Sequence, residues 1–194
     1  MAGGRDAYAS FQELAALLLR LTVLRPEGMV RLSYESSGRD WAILGGAAGP
    51  LDPLPLNDGR FLRLSVGLYL ASDDPRGRLL KVSQSSSQYQ VDQAGVRWIV
   101  RYDYLREPGL DAHPQAHLQI RGSLEEPGVL RPSRPLDRIH FPTDRVSMEG
   151  VIRLLTDQFG VPCNEPPEVW RPVLAEAERT FLDIAHRTLS GPAN

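Results

Sequence analysis

In the stretch RFLRLSVGLYLA, Leu62, Leu64, Val66, Leu68 and Leu70 occupy every second position. A period of two puts them on one face of a β-strand. The same alternation returns in MVRLSYE (29–35), which the turn SSGRD joins to DWAIL (40–44) as a hairpin. VRWIVRYDYL (96–105) has strong strand propensity from its aromatic and β-branched residues. AHLQIRGSL (116–124) reads as a short strand and LDRIHF (136–141) as the last one. LLKVSQSSSQYQV (79–91) is weakly apolar and serine-rich, the texture of an exposed or edge strand. GGAAGPLDPLPLNDG (45–59) reads as a surface loop pinned to the body by Leu51, Leu54 and Leu56.

Helical periodicity frames these strands. Ser10 and Glu13 form a capping box, and Phe11, Leu14, Leu17, Leu18, Leu21 and Leu24 follow as one apolar stripe. Pro26 and Gly28 end that helix, which spans 10–25. Ser147 is placed to cap a helix through MEGVIRLLTDQF, with Val151, Ile152, Leu155 and Phe159 on its buried side and Gly160 as its stop. A long last helix carries Val173, Leu174, Ala177, Phe181, Ile184, Ala185 and Leu189, with Pro172 near its start. Strands joined by turns without intervening helices imply a largely antiparallel sheet. The expected fold is a single α+β domain over 1–194. An N-terminal helix (10–25) precedes a β-rich core (29–141), and two helices in the C-terminal part (147–190) pack with it on one face.

Composition changes little in this picture. The 194 residues carry 24% charged and 42% hydrophobic residues and a net charge of −2. That balance gives no global field for nucleic acid, so such binding needs a local basic patch. Lys81 is the only lysine among 22 basic residues. One cysteine, Cys163, forms no internal disulfide, which fits a cytoplasmic protein. LAALLLRLTVL is too short and too charged to span a bilayer, so no membrane association is expected. GGAAG leads into Pro50 rather than a helix, and no phosphate-binding loop is present. No cofactor is therefore expected. Cys163 follows Pro162 with no histidine nearby in sequence and reads as a spectator.

The candidate chemistry lies in two segments, AHPQAHLQIRG (112–122) and HFPTDR (140–145). Pro114 forbids a regular helix between His113 and His117, so the pair is not the helical histidine motif of metalloproteases. Strand phase puts His117, Gln119 and Arg121 on the face opposite Leu118 and Ile120. If the strands are neighbours, His140 joins them, together with Arg101 and Asp103 or with Tyr102 and Tyr104. Register is not readable from one sequence, so both sets stay open. Such a face suits metal-independent cleavage of RNA. His117 and His140 would be the acid/base pair, since imidazole titrates near neutrality. Arg101, Arg121 and Arg145 would hold phosphate, Arg145 near the positive end of the following helix, and Tyr102 and Tyr104 would stack bases. Three alternatives stand beside it: a solvated sheet face without function, a three-histidine metal site from His113, His117 and His140, and a non-catalytic assembly protein. The last would engage a protein partner, or a second copy, through a sheet edge or terminal helix.

In layout, VRYDY, AHLQIRG and HFPTDRVSMEGVIRLL resemble the small bacterial TumE-like toxins of toxin–antitoxin modules. In those, an aromatic-rich strand of RYD type is followed by a histidine-bearing strand and a helix. The resemblance covers Phe61 to Phe159 and implies an RNA-acting toxin. The chain departs from the pattern in having neither an arginine nor a second histidine directly beside His117.

Overall fold

The computed structural model describes residues 30–37, 39–46, 48, 52–71, 79–106, 114–122 and 138–189. The strands, in chain order, are β1 (Val30–Ser37), β2 (Arg39–Gly46), β3 (Leu54–Pro55), β4 (Phe61–Ala71), β5 (Leu79–Gln90), β6 (Trp98–Leu105), β7 (Ala116–Ile120) and β8 (Phe141–Pro142). They form one sheet of order β1-β2-β4-β5-β6-β7-β8, with β3 also paired to β4. Every pairing is antiparallel.

The helices follow the sheet. Helix α1 (Met148–Arg153) begins at Ser147, whose hydroxyl accepts the Gly150 N–H, and passes into a π turn over Leu154–Gln158. Helix α2 spans Pro167–Leu189 with Pro172 inside it. None of the helices in the described residues is long and apolar enough to cross a membrane.

The expected fold needs correction. Among the described residues, helices occur only at the C-terminal end of the sheet, and the helix expected over 10–25 lies outside those residues. The regular helix expected through Phe159 is α-helical for six residues only. In the π turn the Phe159 N–H donates to the Leu154 carbonyl, and the Phe159 ring meets the Tyr89 ring at 4.9 Å. The widened turn thus serves a contact with the sheet that sequence periodicity does not encode.

The core forms where the helical layer meets one sheet face. Leu62, Leu64 and Val66 of β4, Tyr89 of β5 and Val100 of β6 pack with Val151, Ile152, Leu155, Val161, Trp170 and Leu174. Leu54 and Leu56 of the segment after β2 join them, while Leu51 lies outside the described residues, and Leu54 and Pro55 also pair with β4. Among the described residues of the last expected strand, 138–140 stay outside the ladder, and Phe141 and the following Pro142 enter it. Proline lacks an N–H, so it belongs at an edge.

Strand β5 is central, not an edge, lying between β4 and β6. Its serines mislead because Tyr89, 2% exposed, and the partly buried Val82 still carry the strand into the core. The other face hides its polar side chains by bonding them. Gln88 donates to Gln90 at 2.8 Å, and Gln90 donates to the carbonyls of Asp92 and Gln93 at 2.9 and 3.2 Å. The loop after β5 thereby folds back onto the sheet. Gly95 reaches its turn with φ of 75°, and a Cβ there would stand 3.0 Å from both Arg63 Nη2 and Gln90 Oε1.

Tyr89 anchors a second loop. Its hydroxyl donates to Asp58 Oδ2 at 2.5 Å and accepts from Arg60 Nη1 at 2.8 Å. Burial, then the proton given to Asp58, pushes the phenol up from 10.0 to about 12. The folded state therefore holds this proton more tightly than the unfolded chain. Its contribution to stability is complete below pH 10.0 and is lost as pH climbs towards about 12. Tyr89→Phe should remove that loss, so that denaturation midpoints of wild type and variant converge with rising pH. Parallel midpoints across that window would contradict it.

Candidate functional site

The registers decide which strand faces meet. Val100, Tyr102 and Tyr104 of β6 lie opposite Ile120, Leu118 and Ala116 of β7. Val100 belongs to the helix-covered core, so these residues share that face. The alternate residues face away from the helices. Arg101 lies opposite Gln119 and Asp103 opposite His117, with Arg63, Gln88 and Ser86 following on β4 and β5. Of the two sets left open by the sequence, the structure gathers the one with Arg101 and Asp103.

His140 completes the cluster. The short pairing of Phe141 with Leu118 and Pro142 with His117 brings the preceding residue against β7. The His117 and His140 rings meet with centroids 4.4 Å apart and planes inclined at 58°. His140 is half-buried, and its Nδ1 is shielded from solvent.

His117 is held from two directions. Its Nδ1 lies 3.2 Å from the Pro114 carbonyl oxygen, and its Nε2 lies 3.7 Å from Asp103 Oδ2. Arg101 Nε approaches the same carboxylate oxygen at 2.7 Å. Exposure rises outwards through the group, from 12% for the His117 side chain to 18% for Asp103 and 45% for Arg101. The Arg101 guanidinium therefore reaches solvent while its Nε stays engaged. Arg121 is exposed at the end of the same face, where Nη1 donates to the Val96 carbonyl of the loop that folds over the sheet. Arg63 lies under that loop, with Nη2 3.4 Å from the Ala94 carbonyl oxygen and Nε buried.

The remaining expected site residues lie elsewhere. Tyr102 and Tyr104 are buried on the core-side face, 8% and 7% exposed, and do not form a stacking platform beside the histidines. Packing decides this, because the sheet turns its aromatic positions inwards and its charged positions outwards. The Tyr102 hydroxyl donates to the Asp144 carbonyl and shares a hydrogen bond with the Thr143 hydroxyl. Burial chiefly raises this phenol above its ordinary value. Tyr102 thus clamps β6 to the segment just beyond β8, which helps fix His140. Arg145 places its guanidinium carbon 5.3 Å from the Tyr104 ring centroid. It belongs to that aromatic face rather than to the histidine pair, and burial lowers its pKa.

The three-histidine metal arrangement cannot be assembled from the described residues, because His113 lies outside them. Among the described residues no group of three His, Cys, Asp or Glu side chains is placed to hold a metal ion. Cys163 lines a shallow depression of about 530 Å³ with Asp157, Trp170 and Arg171. Burial, then Asp157, pushes its thiol up, away from the reactive thiolate.

Asp103 is the residue that the sequence placed in one of the two open sets without giving it a role. Its signal was its phase: it alternates with Tyr102 and Tyr104 and so shares a face with Arg101. Comparison with known protein families, with curated proteins and with solved structures finds no match.

Proposed function

We propose that this face binds single-stranded RNA and cleaves it without a metal, the activity of an RNA-acting toxin. The observation that carries the reading is the contact of His117 with His140, 4.4 Å between ring centroids, on the face that presents Arg101. One histidine takes the proton of a ribose 2′-hydroxyl, whose oxygen attacks the adjacent phosphorus. The other gives a proton to the departing 5′-oxygen. The P–O5′ bond breaks, leaving a 2′,3′-cyclic phosphate and a free 5′-hydroxyl. Arg101 and Arg121 hold the phosphate and stabilise its developing charge. With Tyr102 and Tyr104 turned inwards, recognition rests on the sugar–phosphate backbone, and little base preference is expected.

The test is an end-labelled single-stranded RNA oligonucleotide incubated with the protein in EDTA. Cleavage should yield the cyclic phosphate, and DNA of the same sequence should survive because it lacks the attacking hydroxyl. RNA left intact, or DNA cut equally, would overturn the reading. Binding should also weaken with salt, the slope counting the phosphates neutralised.

A second reading, a strand-binding assembly module, has one observation in its favour. Among the described residues β8 pairs with only His117 and Leu118 of β7, and nearby Ile120 and Phe141 are 39% and 37% exposed. A bound partner strand would extend that edge.

A further inference from the structure

We infer that Asp103 is the positioning residue of this site, holding the His117 ring in its contact with His140. The inference rests on the RNA-cleaving reading above. It starts from register: Asp103 stands directly across the β6–β7 ladder from His117, so the two side chains rise side by side from one sheet face. Asp103 Oδ2 lies 3.7 Å from His117 Nε2, and the Pro114 carbonyl faces the other ring nitrogen at 3.2 Å. A carbonyl only accepts, so Nδ1–H donates to Pro114 and Nε2 is left to exchange protons, while Asp103, beyond hydrogen-bond distance of Nε2, faces the positive charge of the ring when it is protonated and favours this orientation. The carboxylate is itself restrained by Arg101 Nε at 2.7 Å and is only 18% exposed. A carboxylate oriented in this way sets the direction of an imidazole without touching substrate.

The test is steady-state cleavage of single-stranded RNA in EDTA by wild type, Asp103→Asn, Asp103→Glu, His117→Ala and the double variant Asp103→Asn/His117→Ala. Asp103→Asn should lower kcat about 10- to 100-fold, a part of the effect of losing a general acid or base, and leave KM nearly unchanged. Asp103→Glu should recover much of the loss, because it restores the charge. In the His117→Ala background Asp103→Asn should have no further effect, since its action passes through the missing ring. Retained kcat in Asp103→Asn would overturn the inference, as would a rise in KM alone or an equal loss in both backgrounds. Those results leave the RNA-cleaving reading standing if wild type cleaves and His140→Ala does not. If wild type leaves RNA intact, both fall together.

Discussion

His117→Ala and His140→Ala should each slow RNA cleavage in EDTA by about 100- to 10,000-fold, the range for losing one proton-transfer group. The two rings touch at 4.4 Å, so they form one unit rather than two separate sites. The double variant should therefore lose little more than the worse single one. Structure should survive in all three. His117 replaces no core residue, and the helix-covered core is built from the opposite sheet face. Initial rates measured beside circular dichroism and a thermal midpoint check this. Rates unchanged in either single variant would remove that histidine from the reaction.

Leu155→Ala should lower stability by about 2–5 kcal/mol, a large part of the roughly 5–15 kcal/mol that holds a domain folded. Leu155 is 1% exposed and lies in the π turn, where the helical layer meets the sheet. Removing its side chain takes away buried apolar surface and leaves a cavity that a close-packed interior fills only in part. Leu105→Ala is the control. That side chain is 44% exposed, and its loss should shift stability by no more than about 0.5 kcal/mol. Chemical denaturation of the two variants beside wild type measures the difference. Equal, small shifts would mean that the helices contribute little to the core.

Loosening that core should also reach the site indirectly. Tyr102 joins β6 to Thr143 and Asp144, just beyond β8, so the contact of His140 with His117 depends on order on the opposite face. The proposed site lies on one face of the sheet, and part of its alignment is fixed from the other.

The amino-acid sequence determined the strand phases of this protein, because side chains alternate along any extended chain. Leu62, Leu64 and Val66 had to share a face, as did Arg101 with Asp103 and His117 with Gln119. The Ser147 cap and the stop at Gly160 were also readable, since each depends on a few local atoms. Gly160 has φ of 66°. The interior place of β5 was not readable. Its polar residues are buried by specific hydrogen bonds to a loop, and composition does not record such bonds. The exit from α-helix into the π turn was hidden too, because it depends on Phe159 meeting Tyr89 on a distant strand. Only the tertiary structure decided that Asp103, rather than Tyr102 or Tyr104, stands beside His117, and that His140 reaches the same place. Register and coverage settle those choices. Both arise from strands far apart in sequence, and a one-residue slip would have reversed the answer.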